Sequence, residues 1–373
     1  MVIRMHVTLN PRNASRALHT AARHTPRKGI IDYLSGVLLT AEADTLTIRA
    51  TDLETEARIH VPADVARSGT CLVPARLLLE ILSAIDADTA CLTLSGNELH
   101  IASGKAGFAV VCMDPADFPA PLAPEQEISV SLPTDTFATA MSRVLHAMSR
   151  DETRPHLRGV RLTLTGGTLQ LAATDGARLA TVTIPLQADV QAAVTLPSHA
   201  ASALAHDLPA ETTTLSLGKE AAVVHSGSLT LATRLIPGAY PSLSPVIQEA
   251  SQNPVQLKAP TEELLRAVEL ALLTARGEAR VVKLHLSSED MVVESSTAEV
   301  GQARVPVAGA ALPGASLSVS LNGAYLLDAL RALHSPTAVI LLRDPLRPVL
   351  IRGGDEQDTY TEILAPVRVF EAH

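Results

Sequence analysis

TLNPRNASRALHTAARHT (residues 8–25), SLPTDTFATAMSRVLHAM (131–148) and KAPTEELLRAVELALLTA (258–275) are three versions of one segment. Each carries a proline, at Pro11, Pro133 and Pro260, where a helix-like run begins; the spacings are 122 and 127 residues. A second set, VPARLLLEIL (73–82), LPSHAASALA (196–205) and LNGAYLLDAL (321–330), is marked by Pro74, Pro197 and Asn322. These lie 63, 64 and 62 residues after the first set. The chain is therefore a triplication of a duplicated unit, six times a helix followed by short strands. Similar units set side by side generate a regular surface or a ring.

Within each third the periodicity changes in the same order. Phe137, Met141, Val144, Leu145 and Met148 fall at helical spacing, as do Leu18, Ala21 and Ala22. VLLTAEADTLTIRATD (37–52), VRLTLTGGTLQLAATD (160–175) and VKLHLSSEDMVVESST (282–297) then alternate as two strands around a polar turn. A second helix and another hairpin follow, as in CLTLSGNELHIASGKAGFAVVCM (91–113). Proline-rich separators run through FPAPLAPEQE (118–127) and from Pro237 to Pro254. This predicts an α+β chain of three similar domains, 1–123, 127–250 and 254–373. Sheets lie outside, with two helices per domain packed on one face.

Composition narrows the function. The 373 residues are 47% apolar but only 2% aromatic, without Trp, so the rings that stack on bases are scarce. Cys71, Cys91 and Cys112 are odd in number and lack CxxC spacing, which speaks against a disulfide framework or zinc site and fits a reducing cytoplasm. No run approaches the roughly 20 apolar residues of a membrane span, so no membrane partner is expected. A net charge of −9 disfavours a protein that grips nucleic acid over its whole surface.

Catalytic signatures are missing. There is no HExxH, GxSxG or GxxxxGK[ST], and the 13 histidines lack metal-ligand spacing, so neither metal nor cofactor is expected. Asp52 and Asp175 follow strands and read as turn residues capping backbone N–H groups. The positive charge has a pattern. Arg16, Arg23, Arg27, Lys28, Arg76, Arg143, Arg150, Arg266, Arg276 and Arg331 fall on or beside helices, while Glu42, Asp44, Glu54, Glu56, Glu125, Glu127, Glu289 and Asp290 gather in strands and loops. That predicts a shared positive helix face. Six helices about 10 Å wide enclose a hole of only about 9 Å; twelve, from two chains, enclose about 28 Å. Duplex DNA, about 20 Å across, passes the second ring and not the first.

The motifs TDLETEARI (51–59), VPAR (73–76), DFP (117–119), ATDGARLA (173–180) and APVRV (365–369), in this order, resemble the bacterial DNA polymerase III beta subunit, the sliding clamp, over nearly the whole chain. The resemblance implies a non-enzymatic, head-to-tail homodimeric ring with helices lining the pore. Such a ring encircles double-stranded DNA and tethers the replicative DNA polymerase. It also implies a clamp loader, and other polymerases and repair proteins docking through short linear peptides. The peptide pocket carried over comprises Arg154 and Leu157 (RPHL), Thr174, Gly176, Arg178 and Leu179 (TDGARL), Pro241 and Val246 (YPSLSPV), Leu346 after VILLRD, and Ile363, Pro366, Val367 and Arg368 of the tail. Arg154 and Arg178 are expected to meet peptide carbonyls or acidic groups. Ala177 replaces a frequent His and Pro245 a frequent basic residue, making the groove more apolar. The implied dimer contacts are Phe108 and Val110 against Leu272 and Leu273. The implied pore residues are Arg27, Lys28, Arg76 and Arg150. Two rival readings are an acidic repeat scaffold that binds only proteins and a hydrolase using Asp52 or Asp175.

Overall fold

The computed structural model describes residues 3–26, 32–123, 125, 128–277, 280–310 and 316–368. Seven α-helices occur among them: α1 (Pro11–Ala22), α2 (Ala75–Ala84), α3 (Thr134–Val144), α4 (Ser198–His206), α5 (Ser244–Ser251), α6 (Thr261–Ala271) and α7 (Gly323–Ala332). Six are those of the repeat. The seventh, α5, lies inside the separator between Pro237 and Pro254 and escaped the sequence reading. Its signal was present: Pro245 stands in the first turn, and Leu243, Val246, Ile247 and Ala250 keep helical spacing.

Helix starts follow local chemistry. Asn10 caps α1 by accepting from Arg12 N (3.0 Å) and Asn13 N (3.1 Å). Asn322 does the same for α7, accepting from Ala324 N (3.0 Å) and Tyr325 N (3.3 Å). Pro74 and Pro260 instead occupy the position before the helix and offer no side-chain cap. Only Pro11 of the marking prolines lies in its helix, at the first turn, where its missing N–H has no helical partner to lose.

The chain divides into two compact units. The first comprises residues 1–138 and 203–235. It holds a twelve-stranded antiparallel sheet system centred on the long strand Thr55–Arg67. That strand pairs with Ile3–Leu9 and Thr45–Thr51 of its own repeat, and with Leu229–Arg234 of the next. Helices α1 and α2 lie side by side on this sheet. The small residues Ala14, Ala17 and Ala21 of α1 are buried with Leu18, which lets the helix sit close.

The second unit comprises residues 139–202 and 236–373. One sheet has eight strands, in the order Ala192–Pro197, Gly159–Thr165, Thr168–Thr174, Arg178–Pro185, Thr361–Leu364, Val349–Gly353, Thr337–Leu342, Val255–Pro260. A separate four-stranded sheet runs Gly301–Val307, Met291–Thr297, Val281–Leu286, Leu317–Asn322. Helices α6 and α7 pack together, with Arg331 bonded to Glu269 at 2.8 Å. The units cut across the sequence repeats because hydrogen-bonded ladders continue from one repeat into the next, at Glu56↔Ala232 and at Leu179↔Ile363. The α+β class and the strand pairs expected at 37–52, 160–175 and 282–297 are all present.

Candidate peptide groove and ring surfaces

Thr174 ends one strand and Arg178 begins the next, and the turn between them is closed by its own side chains. The Thr174 hydroxyl donates to Arg178 O (2.5 Å) and accepts from Gly176 N (3.1 Å). Asp175 Oδ1 accepts from Ala177 N (2.9 Å) and Arg178 N (3.0 Å). The turn at Thr51 repeats the set: Thr51 bonds Thr55 O (2.7 Å) and Leu53 N (3.0 Å), and Asp52 Oδ1 accepts from Glu54 N (3.0 Å) and Thr55 N (2.6 Å). Both carboxylates work as turn caps, the role the sequence reading gave them. Gly176 has φ +93°, so the conformation calls for glycine; a Cβ there would lie 2.9 Å from the Arg154 guanidinium, the far end of a side chain that can move aside.

Arg178 is not available to a ligand in the way its sequence position suggests. Its guanidinium bonds Asp175 Oδ2 (3.1 Å), Asp328 Oδ2 (2.8 Å) and the His146 carbonyl, and lies 4.0 Å from the Tyr325 ring centroid. The expectation that it meets peptide carbonyls is corrected: it braces the turn from beneath. Arg154 keeps the expected freedom better. Its Nε bonds Asp151 Oδ2 (2.9 Å) while 44% of the side chain stays exposed above Gly176. The Thr153 hydroxyl and N–H, then Arg154, hold the Asp151 carboxyl down at about 2.

Beside this turn the lining becomes apolar. Leu179 and Ile363 face each other across paired strands and are buried with Ala172, Ala250, Val339, Leu341 and Leu350. Leu243 and Ile247, which the sequence reading missed, pack half-buried against this cluster from α5 and the residue before it. Val246 remains 40% exposed, and Pro241 is exposed. Leu157 is buried, and its carbonyl accepts from Ser149 N (3.0 Å). The tail is pinned alongside by Ala365 N to Ala177 O (2.9 Å) and Val367 N to Ser320 O (2.8 Å). Pro366 is half-buried. Leu346, Val367 and Arg368 line a wider hollow over the four-stranded sheet. The predicted pocket residues thus divide between an apolar floor near Leu179 and a polar hollow past the tail.

The ring surfaces change in detail. Among the described residues, Ala106–Val111 is an edge strand paired with Glu98–Ser103 alone. Phe108 (39%) and Val111 (61%) are exposed, but Val110 is buried opposite Leu99. Leu273 is 66% exposed, whereas Leu272 is buried against Gly323, where a Cβ would meet its side chain at 2.7 Å. Val110 and Leu272 are therefore core residues, and Val111 is the exposed apolar residue that sequence reasoning passed over. Strand alternation does not find it, since Phe108 and Val110 share one face and yet the first is exposed and the second buried.

Of the residues expected to line a pore, Arg76 and Arg150 are exposed, while Arg27 and Lys28 lie outside the described residues. The positive helix face is thinner than expected. Arg143 is buried, bonded to both oxygens of Asp358 (2.7 Å each) and to Ala332 O (2.7 Å). Arg23 pairs with Asp207 at 2.5 Å. Among the described residues, no group of three or more His, Cys, Asp or Glu is placed to hold a metal ion, and no helix is long and apolar enough to cross a membrane.

Comparison with known proteins gives the same answer along the whole chain. Residues 5–122, 131–242 and 251–368 match, in turn, the N-terminal, central and C-terminal domains of the DNA polymerase III beta subunit. The Streptomyces coelicolor beta sliding clamp is 28% identical over 377 residues, covering 95% of this chain and 97% of that protein. The Pseudomonas aeruginosa beta sliding clamp is 26% identical over 372 residues, covering 98% and 100%. Among solved structures, a DnaN sliding clamp from Pseudomonas aeruginosa bound to griselimycin superposes with a TM-score of 0.93 at 24% identity, covering 98% of this chain and 100% of that one. A C. crescentus beta sliding clamp does so with 0.90 at 26% identity, with the same coverage. With all three repeats matched in order, and a fold shared from end to end, this chain belongs to the DNA polymerase III beta subunit family.

Proposed function

We propose that this chain is a DNA sliding clamp. Two copies close head to tail into a ring around double-stranded DNA and tether the replicative polymerase, with no catalytic step of their own. The observation that carries this is the match of three consecutive segments across residues 5–368 to the three domains of one clamp family. The corresponding clamp domains in this reading are 1–123, 127–250 and 254–373. The clamp works in the cytoplasm, is placed by a clamp loader, and serves other polymerases and repair proteins in turn.

The exposed edge strand with Phe108 and Val111 supplies one half of the ring contact, and Leu273 of the second copy the other. An edge strand presents unpaired backbone groups, which association of two copies satisfies. Arg27, Lys28, Arg76 and Arg150 face the pore in this reading, where weak, salt-screened phosphate contacts permit sliding. Partner peptides seat apolar anchors over Leu179, Ile363, Leu243 and Ile247, between Pro241 and Val246. A shallow aliphatic groove of this kind suits micromolar affinity, about −8 kcal/mol. Retention on DNA tests the reading. Loaded protein should stay on closed circles at moderate salt and run off once the circle is linearised; equal retention on both would overturn the clamp.

A further inference from the structure

Arg178 begins a strand of the second repeat, yet its side chain is held by a helix of the third. Nη1 donates to Asp328 Oδ2 (2.8 Å), and the guanidinium lies 4.0 Å from the Tyr325 ring centroid. Tyr325 and Asp328 stand three positions apart on α7, so they share one face of it. Nε donates to Asp175 Oδ2 (3.1 Å) and Nη2 to the His146 carbonyl, and 9% of the side chain is exposed. Tyr325 also meets the turn itself. Burial first, then the neighbouring Asp175 carboxylate, pushes its hydroxyl above the ordinary tyrosine value.

The corresponding turn of the first repeat is held in another way. Both turns accept one backbone bond from the chain alongside, Arg234 N to Glu54 O (2.8 Å) and Ala365 N to Ala177 O (2.9 Å). Where the second turn has Arg178, the first has Thr55, 123 positions earlier. The short Thr55 hydroxyl bonds Asp52 (3.1 Å) and His24 (3.0 Å), both of its own repeat. Hydrogen bonds inside a turn fix its shape but not where it stands. A planar guanidinium with directed bonds to Asp175, Asp328 and the His146 carbonyl fixes both.

We propose that Tyr325 and Asp328 are positioning residues for the peptide groove: they hold Arg178, and Arg178 holds the strand that carries Leu179. The inference rests on the peptide-docking reading above. Arg178 and Leu179 point to opposite faces of their strand. An arm fixed on α7 therefore sets how Leu179 sits in the apolar cluster on the other side, beside Ile363 and Ala250. Neither α7 residue needs to touch the peptide. A shift of about 0.5 Å in a binding constellation is enough to weaken it, so a brace of this kind is read in affinity.

The test uses the full chain and a synthetic peptide with Leu and Phe anchors, its affinity measured beside the urea midpoint of each variant. Tyr325→Leu removes the ring and should weaken the peptide about fivefold; Tyr325→Phe keeps the ring and should stay within about twofold of the wild type. Asp328→Asn, on a side chain 37% exposed, keeps the shape and should weaken the peptide about threefold. Because both residues act through Arg178, neither change should alter affinity further in an Arg178→Met background. Affinity that holds at the wild-type value while the urea midpoint falls would overturn the inference and leave α7 a brace for the fold alone. Equal weakening with and without Arg178 would overturn it too. Should Tyr325→Leu fail to fold, Asp328→Asn with and without Arg178 decides the question on the same terms. A wild type that does not bind the peptide at all would sink the groove reading, and the inference with it.

Discussion

Where the strand Thr55–Arg67 meets Leu229–Arg234, Glu56 stands opposite Ala232; where Arg178–Pro185 meets Thr361–Leu364, Leu179 stands opposite Ile363. The two joints occupy corresponding places, five residues after Thr51 and Thr174, and follow turns with the same hydrogen bonds. Their chemistry is opposite. Glu56 is buried, bonded to Arg58 (3.1 Å), paired with Arg49 (3.2 Å), and accepting from Leu122 N (3.2 Å). Arg49 in turn bonds the Pro119 carbonyl and lies 4.9 Å from the Phe118 ring centroid. The separator after the first repeat is therefore drawn onto its joint and fills it. At the other joint the corresponding separator becomes α5, which contributes Leu243 and Ile247 and leaves Val246 exposed. A charged residue at the joint recruits the chain's own backbone; an aliphatic one leaves a surface that another chain can use.

The largest effect should come from breaking the polar joint. Glu56→Ala leaves Arg49 and Arg58 without their carboxylate and the Leu122 N–H without an acceptor. Loss of one partner from a buried ion pair costs about 3–5 kcal/mol. Urea unfolding should show a loss of that order with peptide affinity unchanged; a loss below about 1 kcal/mol would make Glu56 an ordinary surface charge. The apolar joint should respond differently. Leu179→Ala opens a cavity costing about 2–4 kcal/mol and should weaken an anchor peptide at least tenfold. Full peptide affinity in that variant would place the docking site elsewhere.

The aromatic residues of the separators sharpen the contrast by titration. Tyr240, 122 positions after Phe118, is largely buried, and loss of hydration pushes its hydroxyl up to about 12. The folded value is raised above the unfolded one, near 10, so its contribution is complete below pH 10 and is lost as pH rises through about 12. A phenolate absorbance titration should show Tyr240, Tyr325 and Tyr360 all ionising above the ordinary tyrosine value, Tyr360 well above it because burial and the nearby Glu362 both oppose its phenolate; a midpoint near 10 for every tyrosine would contradict that burial. The smallest effect lies in the turns. Leu53 holds φ +75° where the second turn has Gly176. Left-handed backbone costs a branched L-residue about 1–2 kcal/mol, partly offset by the extra freedom glycine loses on folding. Leu53→Gly should stabilise the chain by about 0.5–1 kcal/mol, read as a raised urea midpoint; destabilisation would mean that the exposed Leu53 side chain makes a contact worth more than the strain.

The turns themselves were legible because every bond that makes them lies within five residues. A Thr-Asp pair at the end of an alternating strand carries the information for its own cap. Helix α5 was readable in principle, from Pro245 and the spacing of Leu243, Ile247 and Ala250, but three prolines between 237 and 245 concealed it. Arg143 shows the opposite case. In the last turn of its helix it reads as surface charge, yet Asp358, 215 positions away, pulls it into the interior.

From the sequence alone came the triplication, the two halves within each repeat, the six repeated helices and the capped turns, all set by spacing and short-range hydrogen bonding. Tertiary structure alone decided which turn stands beside the apolar cluster, that Arg178 meets Asp328 and Tyr325, and that Val110 and Leu272 belong to the core. Those outcomes depend on strand register and on side chains brought together from distant positions. A shift of one residue in either joint would exchange buried and exposed faces, and nothing within a five-residue window records which register the assembled sheet adopts.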